Sequence, residues 1–129
     1  MATSYWPREK MYQFEKLTVW KESVELIKLT YKIVGKFPNE EKFSLSSQIQ
    51  RAIVSVSLNI AEGKGCQSDK EFAKFLFISL RSLHEAVAGM KIAEELQYIN
   101  TDELLIFYSD SESLGAQIRS FIKKLKSNS

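Results

Sequence analysis

The chain has 129 residues, of which 44% are hydrophobic and 26% are charged, and its formal net charge at pH 7 is +2. This length is typical of one ordinary domain that can bury a single core without disulfides. The nearly balanced charge neither requires a nucleic-acid partner nor excludes a local basic patch. Cys66 is the only cysteine, so no internal disulfide can form and a reducing compartment is expected.

No segment of the sequence has the properties of a membrane span or a secretion signal. The longest apolar-rich run without a charge, AIVSVSLNIA at 52–61, is too short to cross a bilayer, and the first residues lack an apolar signal stretch. We therefore expect a soluble, cytoplasmic protein without a membrane partner. The helical pattern covers 14–126. Residues 1–13 are interpreted as an N-terminal arm, either disordered, an oligomer contact or a non-native extension, and 127–129 as a C-terminal tail.

The first predicted helix covers 17–34, where apolar residues recur every three or four positions and therefore share one face. It is expected to end at Gly35, with Pro38 just beyond. Its predicted inward stripe comprises Leu17, Trp20, Val24, Ile27, Tyr31 and Val34, and a second apolar row comprises Val19, Leu26 and Ile33.

The second segment, from about Lys42 to Glu62, carries conflicting signals. Its central part, AIVSVSLNI, is β-branched and nearly alternating, which favours a strand. We predict a helix, because an apolar stripe continues in helical register from Leu45 to Ile60. Gly63 is predicted to follow the last helical residue. The inward set is Leu45, Ile49, Ala52 or Ile53, Val56 and Ile60.

Two further helices have clear N-terminal signals. Ser68 and Glu71 form a capping-box pattern, which predicts a third helix from there to about Gln97. Thr101 is predicted to cap a fourth helix, with acidic residues in its first turn and lysines in its last. The predicted inward residues are Phe72, Phe75 or Leu76, Ser79, Leu83, Ala86, Met90 and Ala93 in the third helix, and Leu104, Tyr108, Ser111, Gly115, Ile118, Ile122 and Leu125 in the fourth.

Short connections between four long helices favour antiparallel neighbours, and therefore an all-α, up-down-up-down four-helix bundle. The apolar residues exceed one stripe, since the third helix carries a second row of Ala73, Phe77, Leu80 and Val87. Either a thick core or a second surface that contacts another copy would explain this surplus.

A polar ladder follows one face of the second helix. Its members step by four, four and three residues: Arg51, Ser55, Asn59 and Glu62. The returning third helix is expected to place Ser82 opposite Arg51 and Glu85 within about a turn of it, with an ion pair between Arg51 and Glu85. It is also expected to place Lys70 and Lys74 near Glu62. The ladder is either a set of groups that satisfy one another at a helix seam or part of a ligand site.

Five segments together resemble a known family: FEKLTVW at 14–20, FP at 37–38, QIQRAIVSVSLNIAEG at 48–63, SDKEFAKFL at 68–76 and SLHEA at 82–86. In order and spacing they are similar to the four-helix-bundle proteins encoded within intervening sequences of bacterial large-subunit (23S) ribosomal RNA genes. The resemblance covers residues 14 to about 125. It implies a left-handed antiparallel bundle that assembles into a ring-shaped homopentamer, and it implies no settled biochemical activity.

Related bundles that accompany retroelement reverse transcriptases are thought to bind nucleic acid and the transcriptase through a basic surface. The resemblance therefore implies RNA or a nucleic-acid-binding protein as a partner. Many family members are basic just after the glycine, whereas KGCQSDK at 64–70 has only two lysines. This departure weakens the nucleic-acid interpretation.

No catalytic, cofactor or metal site is predicted. His84 is the only histidine, and Arg81 stands three residues before it, where a di-iron bundle requires a glutamate. Cys66 has no histidine near it in sequence to act as a base. We therefore expect a protein that is not an enzyme and holds no cofactor.

Eight basic residues are candidates for nucleic-acid binding: Lys64, Lys70, Lys74, Arg81, Arg119, Lys123, Lys124 and Lys126. Such runs are usually solvated helix faces, yet in a ring of five copies even two or three cations per chain would produce about ten or more, enough for salt-dependent phosphate binding. Tyr5, Trp6 and Tyr12 of the arm are candidates for base stacking.

Two functions remain open. The first is a non-enzymatic oligomeric scaffold associated with RNA or a ribonucleoprotein. The alternative is a bundle that binds a protein or a small ligand, through a central channel or the edge from Asn59 to Glu62, with no nucleic-acid role. Steeply salt-dependent RNA binding would distinguish them.

Overall fold

The computed structural model describes Pro7 and residues 10–128. Four long α-helices account for most of this part of the chain: α1 Thr18–Val34, α2 Leu45–Lys64, α3 Asp69–Glu95 and α4 Thr101–Ser127. Two short 3-10 turns, Gln13–Lys16 and Asn39–Glu41, precede α1 and α2. The described residues contain no strand. The four predicted helices are confirmed, including the helical assignment of the β-branched stretch in α2.

The helix starts show which N-cap predictions were correct. The Ser68 hydroxyl accepts the backbone N–H of Glu71 at 3.1 Å, which confirms the cap of α3. The cap of α4 is Asn100, so the prediction of Thr101 is wrong by one residue. Asn100 and Glu103 form a complete capping box, with bonds of 2.8 and 3.0 Å, and this reciprocal pair satisfies two backbone donors at once. Thr101 instead donates its hydroxyl to Glu94.

Gly63 does not follow α2 but lies buried inside its last turn, and Gly65 is the C-cap. A Cβ atom at Gly63 would lie 2.7 Å from Cδ1 of Phe72. Gly89 has the same role near the other end of α2, because a Cβ there would lie 2.5 Å from Cγ1 of Ile49. The two glycines therefore let the backbones of α2 and α3 approach closely.

Contacts between the helices define the directions of three helix pairs. Ile49 meets Gly89 near one end of the α2–α3 pair and Gly63 meets Phe72 near the other, so these helices run in opposite directions. The rings of Phe72 and Phe121 pack edge to face at 5.1 Å, which places the start of α3 beside the end of α4. Hydrogen bonds join α1 to α4 through Gln117 and Glu22 at 3.0 Å, and α4 to the turn after α1 through Lys36 and Glu103 at 2.7 Å.

The inward face of α1 differs from the predicted one. Val19, Leu26 and Ile33, predicted as a second row, are buried in the core, whereas Tyr31 of the predicted stripe is 46% exposed. The true stripe includes the small polar residues Ser23 and Thr30, which are buried and therefore do not register in an apolar pattern. Their hydroxyls are satisfied, since Ser23 bonds the Ser57 hydroxyl and Thr30 donates to the Leu26 carbonyl.

The predicted cores of α2, α3 and α4 are confirmed, with only Leu45, Phe75 and Tyr108 half-buried rather than buried. Part of the apolar surplus thickens this core, because Ala73 is buried and Leu80 and Val87 pack against it. The remainder stays exposed. The large apolar side chains exposed on α2, α3, α4 and the loop before α2 are Phe43, Leu58, Phe77, Ile78, Ile92, Leu96, Leu105 and Ile106.

The predicted arm is only partly within the described chain, and residues 1–6 and 8–9 lie outside it. Phe14, in the first 3-10 turn, packs its ring against Trp20 of α1 at 5.0 Å between centroids. Within the described ranges, no helix combines the length and apolarity that crossing a bilayer requires.

Candidate nucleic-acid interface

Part of the polar ladder forms a hydrogen-bonded seam between α2 and α3. The hydroxyls of Ser55 and Ser82 bond each other at 2.9 Å. The Asn59 amide donates to the Ser55 carbonyl at 2.8 Å and to the Ser55 hydroxyl at 2.9 Å. These three half-buried side chains satisfy one another, as the seam interpretation predicts, and they hold the register of the two helices.

The predicted ion pair between Arg51 and Glu85 is wrong. The Glu85 carboxylate accepts a hydrogen bond from the Gln48 amide at 2.8 Å, and the exposed Arg51 makes no ion pair within the described part of the chain. Ser55, rather than Arg51, lies opposite Ser82. The observed register of α2 and α3 therefore differs from the predicted one by one helical turn, because α2 continues through Gly63 to Lys64. The sequence analysis did not include Gln48 in the ladder. The only sequence signal for it is its position two helical turns before Ser55, which places it on the same helix face.

Glu62 ends the ladder without a charged partner. It is exposed, and no ion pair joins it to Lys70 or Lys74 in the ranges that the structure covers. Its backbone carbonyl accepts the Cys66 thiol at 3.6 Å. Desolvation by burial, helped by the carboxylates of Glu71 and Glu62, raises the pKa of the Cys66 thiol. A raised thiol pKa lowers the thiolate fraction, so this environment does not activate Cys66 as a nucleophile.

Six of the eight predicted basic residues lie at one end of the helical bundle. Lys70 and Lys74 are on the first turns of α3, and the packing of Phe72 on Phe121 places them beside the last turns of α4. Lys64, at the end of α2, lies 5.9 Å from the centroid of the Phe72 ring. We call this surface the basic end, and its predicted members are Lys64, Lys70, Lys74, Lys123, Lys124 and Lys126.

Two predicted cations lie away from the basic end. Arg81 is exposed two helical turns after Lys74, about 10 Å further along α3. Arg119 pairs with Glu112 at 3.1 Å, which neutralises its charge locally. The first 3-10 turn and the start of α1 add Lys16 and Lys21, both exposed, because Glu22 beside them contacts Gln117 of α4. Sequence reasoning did not include these two lysines, although the antiparallel arrangement would have indicated them.

The opposite end of the bundle carries three of the five ion pairs within the described residues. Lys36 bonds Glu103 at 2.7 Å, and Lys91 bonds Glu94 at 2.8 Å. The Lys36 contact lowers the pKa of the Glu103 carboxyl, and the Lys91 contact lowers that of Glu94.

By contrast, four lysines of the basic end make no ion pair within the described chain: Lys70, Lys74, Lys123 and Lys124. Their charges are therefore not compensated by a direct contact with a carboxylate. The basic end also carries the carboxylates of Glu62, Asp69 and Glu71 on the adjoining turns of α2 and α3, so it has an excess of lysines and not lysines alone.

The side chains that could support metal or base chemistry are dispersed. Among the residues that the structure covers, no three or more His, Cys, Asp or Glu side chains group so that they could hold a metal ion. His84 is exposed on α3. Of the arm aromatics predicted to stack on bases, Tyr5 and Trp6 lie outside the described residues, and Tyr12 stacks on Phe14 at 6.0 Å.

Comparisons with known proteins agree with this architecture. The sequence model of the 23S rRNA-intervening sequence protein family matches residues 15–120. A crystal structure of a protein of unknown function from the S23 ribosomal protein family of Bacteroides thetaiotaomicron is similar, with a TM-score of 0.76 and 27% identity. The similarity covers 82% of this chain and 99% of that one. No curated protein matches the chain. Because the family match spans most of the four helices, the chain belongs to the 23S rRNA-intervening sequence protein family.

Proposed function

We propose that this protein is a non-enzymatic, oligomeric scaffold that binds structured RNA through its basic end. The observation that carries the proposal is the convergence of lysines from α2, α3 and α4 at one end of the bundle. Lys70, Lys74, Lys123 and Lys124 have no carboxylate partner there within the described residues. Unpaired surface cations attract phosphates and release counterions when they bind them.

Self-association would multiply this surface. In the proposed assembly, a left-handed, up-down-up-down bundle forms a ring of five subunits, and each subunit places its basic end on the same face of the ring. Exposed apolar side chains on the outer surfaces support an oligomer, including Leu58 at 63%, Leu105 at 54% and Ile106 at 55% exposure. Light scattering after size-exclusion chromatography tests this part. A mass near 14.8 kDa at micromolar concentrations would contradict it.

RNA binding is tested by fluorescence anisotropy of a labelled stem-loop derived from ribosomal RNA, at about 50 and 200 mM salt. Four phosphate contacts would weaken binding by about 50- to 150-fold between these concentrations, since each contact contributes roughly 0.7 to 0.9 to the salt slope. Replacement of Lys123 and Lys124 by glutamine should lower the slope by about 1.4 to 1.8.

A matched control has the same change in charge at the opposite end of the bundle. Lys32 and Lys42 are exposed there, and their replacement by glutamine should leave both the affinity and the salt slope nearly unchanged. Equal losses in the two double variants would show that binding responds to net charge alone and would contradict a basic-end site. Absence of binding by the wild type at either salt concentration would favour a scaffold for proteins or small ligands without an RNA role.

A further inference from the structure

The outward faces of α2 and α4 carry unpaired groups of opposite charge beside exposed apolar side chains. Arg51 of α2 and Asp110 of α4 are both exposed, and neither makes an ion pair among the described residues. Leu58 lies two helical turns after Arg51 and is 63% exposed, and Ile106 lies one turn before Asp110 and is 55% exposed. Apolar side chains bordered by charged groups are typical of protein interfaces.

Arg51 borders a groove between α1 and α2 with a volume of about 450 Å³. Its apolar walls are Tyr31 of α1 and Val54 and Leu58 of α2, and Ser47 lines it one helical turn before Arg51. Arg51 is the only charged residue that lines this groove within the described chain. The α1–α2 groove therefore offers apolar walls and one positive charge.

Asp110 lies on a negative surface between α1 and α4. It lines a groove of about 300 Å³ together with Glu22 and Glu25 of α1. Glu25 pairs with Lys28 at 3.0 Å, whereas Glu22 and Asp110 have no cationic partner in the part of the chain that the structure covers. The α1–α4 surface is therefore complementary in charge to the α1–α2 groove.

Contacts through α3 show that Arg51 and Asp110 stand at nearly the same height on the bundle. α2 and α4 run in the same direction, because each is antiparallel to α3, and both Gly63 of α2 and Phe121 of α4 meet Phe72 of α3. Arg51 lies twelve residues before Gly63, and Asp110 lies eleven before Phe121. These separations correspond to about 18 Å and about 17 Å of helix.

This equal height matters because copies related by rotation about an axis parallel to the bundle are not displaced along it. A second copy placed in this way, with its α4 against α2 of the first, would bring its Asp110 to Arg51. Its Ile106 would then lie level with Ser47, one helical turn before Arg51, and reach the groove beside Tyr31. One register therefore pairs the two charges and covers an exposed apolar side chain.

The positions of the two surfaces around the bundle allow such contacts to close. Both surfaces border α1, since Tyr31 lines the first groove and Glu22 lines the second. They are therefore less than half a turn apart around the bundle axis. Successive copies turn in the same sense and can form a ring, whereas surfaces on opposite sides would produce an open array.

We propose that the α1–α2 groove of one subunit binds the α4 face of a second, parallel copy of this chain. Arg51 forms an ion pair with Asp110 of the second copy, and Ile106 of that copy enters the groove. The inference rests on the self-association proposed above and identifies the two surfaces that carry it. It uses none of the lysines of the basic end, which remain free for RNA.

Charge reversal tests the contact, with light scattering over a dilution series of the full chain as the measurement. Arg51→Glu and Asp110→Arg should each raise the concentration at which the oligomer dissociates by at least about tenfold, because each places like charges opposite each other. The chain that carries both changes has the pair reversed. It should return to within about threefold of the wild-type value.

Matched controls lie on α3, which lines neither groove. Arg81→Glu makes the same change of charge at an exposed position and should dissociate like the wild type. Ile106→Ser should weaken the oligomer, whereas Ile78→Ser, at a side chain that is 43% exposed, should not. Far-UV circular dichroism should show the same helix content in every variant, since all the changed positions are exposed.

The possible outcomes separate this contact from the broader proposal. A wild type that stays at 14.8 kDa over the whole dilution series would overturn both the contact and the self-association. An oligomer that dissociates equally in the wild type, Arg51→Glu and Asp110→Arg would overturn the contact alone. Rescue of Arg51→Glu by Glu62→Arg, and not by Asp110→Arg, would also overturn it, because the contact would then join two α2 helices symmetrically.

Discussion

The close approach of α2 and α3 at Gly89 predicts an unusual response to a single methyl group. In an exposed helix, replacement of glycine by alanine stabilises by about 1 kcal/mol. At Gly89 the new Cβ would lie 2.5 Å from Cγ1 of Ile49, and Ile49 is only 1% exposed, so neither atom can move into solvent. Overpacking of this kind costs about 1 to 3 kcal/mol, and the very short contact favours the upper part of that range. Subtracting the gain of about 1 kcal/mol in helix propensity from a cost of about 2 to 3 kcal/mol, we expect Gly89→Ala to destabilise by about 1 to 2 kcal/mol.

Gly115→Ala is the matched control within the same fold. Its Cβ would meet Nη1 of Arg119 at 3.3 Å, which is the flexible end of a half-exposed side chain. At this position the better helix propensity of alanine should outweigh the small steric cost, so Gly115→Ala should stabilise the protein by about 0.5 to 1 kcal/mol. The same chemical change is thus expected to have opposite signs at two buried helical glycines.

Urea denaturation at one fixed protein concentration measures both effects, since any self-association would make stability depend on concentration. Ile49→Ala alone should cost about 2 to 5 kcal/mol, because Ile49 is buried. The double variant should lose less free energy of unfolding than the sum of the two single losses, because the clashing atoms are removed, and the double-mutant cycle should show favourable coupling. If Gly89→Ala is as stable as the wild type and shows no coupling to residue 49, the close contact between α2 and α3 is refuted.

Three further predictions concern caps, pH and the polar seam. Asn100→Ala should destabilise by about 1 kcal/mol because it removes the cap of α4, whereas Thr101→Ala should have a smaller effect in the same thermal melts. The lowered pKa of the Glu103 carboxyl stabilises the fold above the unfolded-state pKa near 4.5, and this contribution is lost as the pH falls through the lower folded-state value. Melting temperatures of the Glu103→Gln variant should therefore decline less between pH 6 and pH 3 than those of the wild type, and parallel declines would contradict this assignment. Ser55→Ala should destabilise by about 1 kcal/mol, since it removes the partner of the half-buried Ser82 hydroxyl and leaves the Asn59 amide with only its bond to the backbone carbonyl. Arg51→Ala should change stability by less than about 0.5 kcal/mol, and a larger loss would contradict the observed seam.

The basic end was only partly predictable from the sequence. The types and numbers of its lysines follow from the sequence, and two of them flank Phe72 in the capped start of α3. These lysines lie beside the lysines of the last turns of α4 because Phe72 contacts Phe121, which is 49 positions away in the sequence. The pairing of Arg119 with Glu112 depends on the rotamers of two long side chains. No pattern in the sequence distinguishes this paired arginine from the unpaired lysines near it.

The sequence by itself determined the four helices, their approximate ends and most of the core of α2, α3 and α4, because helical periodicity and capping residues are local properties. Tertiary structure decided the rotation of α1, where buried Ser23 and Thr30 interrupt the apolar pattern that locates an inward face. Tertiary structure also decided the pairing of Ser55 with Ser82, since sliding α3 along α2 by one helical turn leaves the same residues on each helix face. The close contacts at Gly63 and Gly89 select the observed register, and these contacts exist only when the two helices pack against each other.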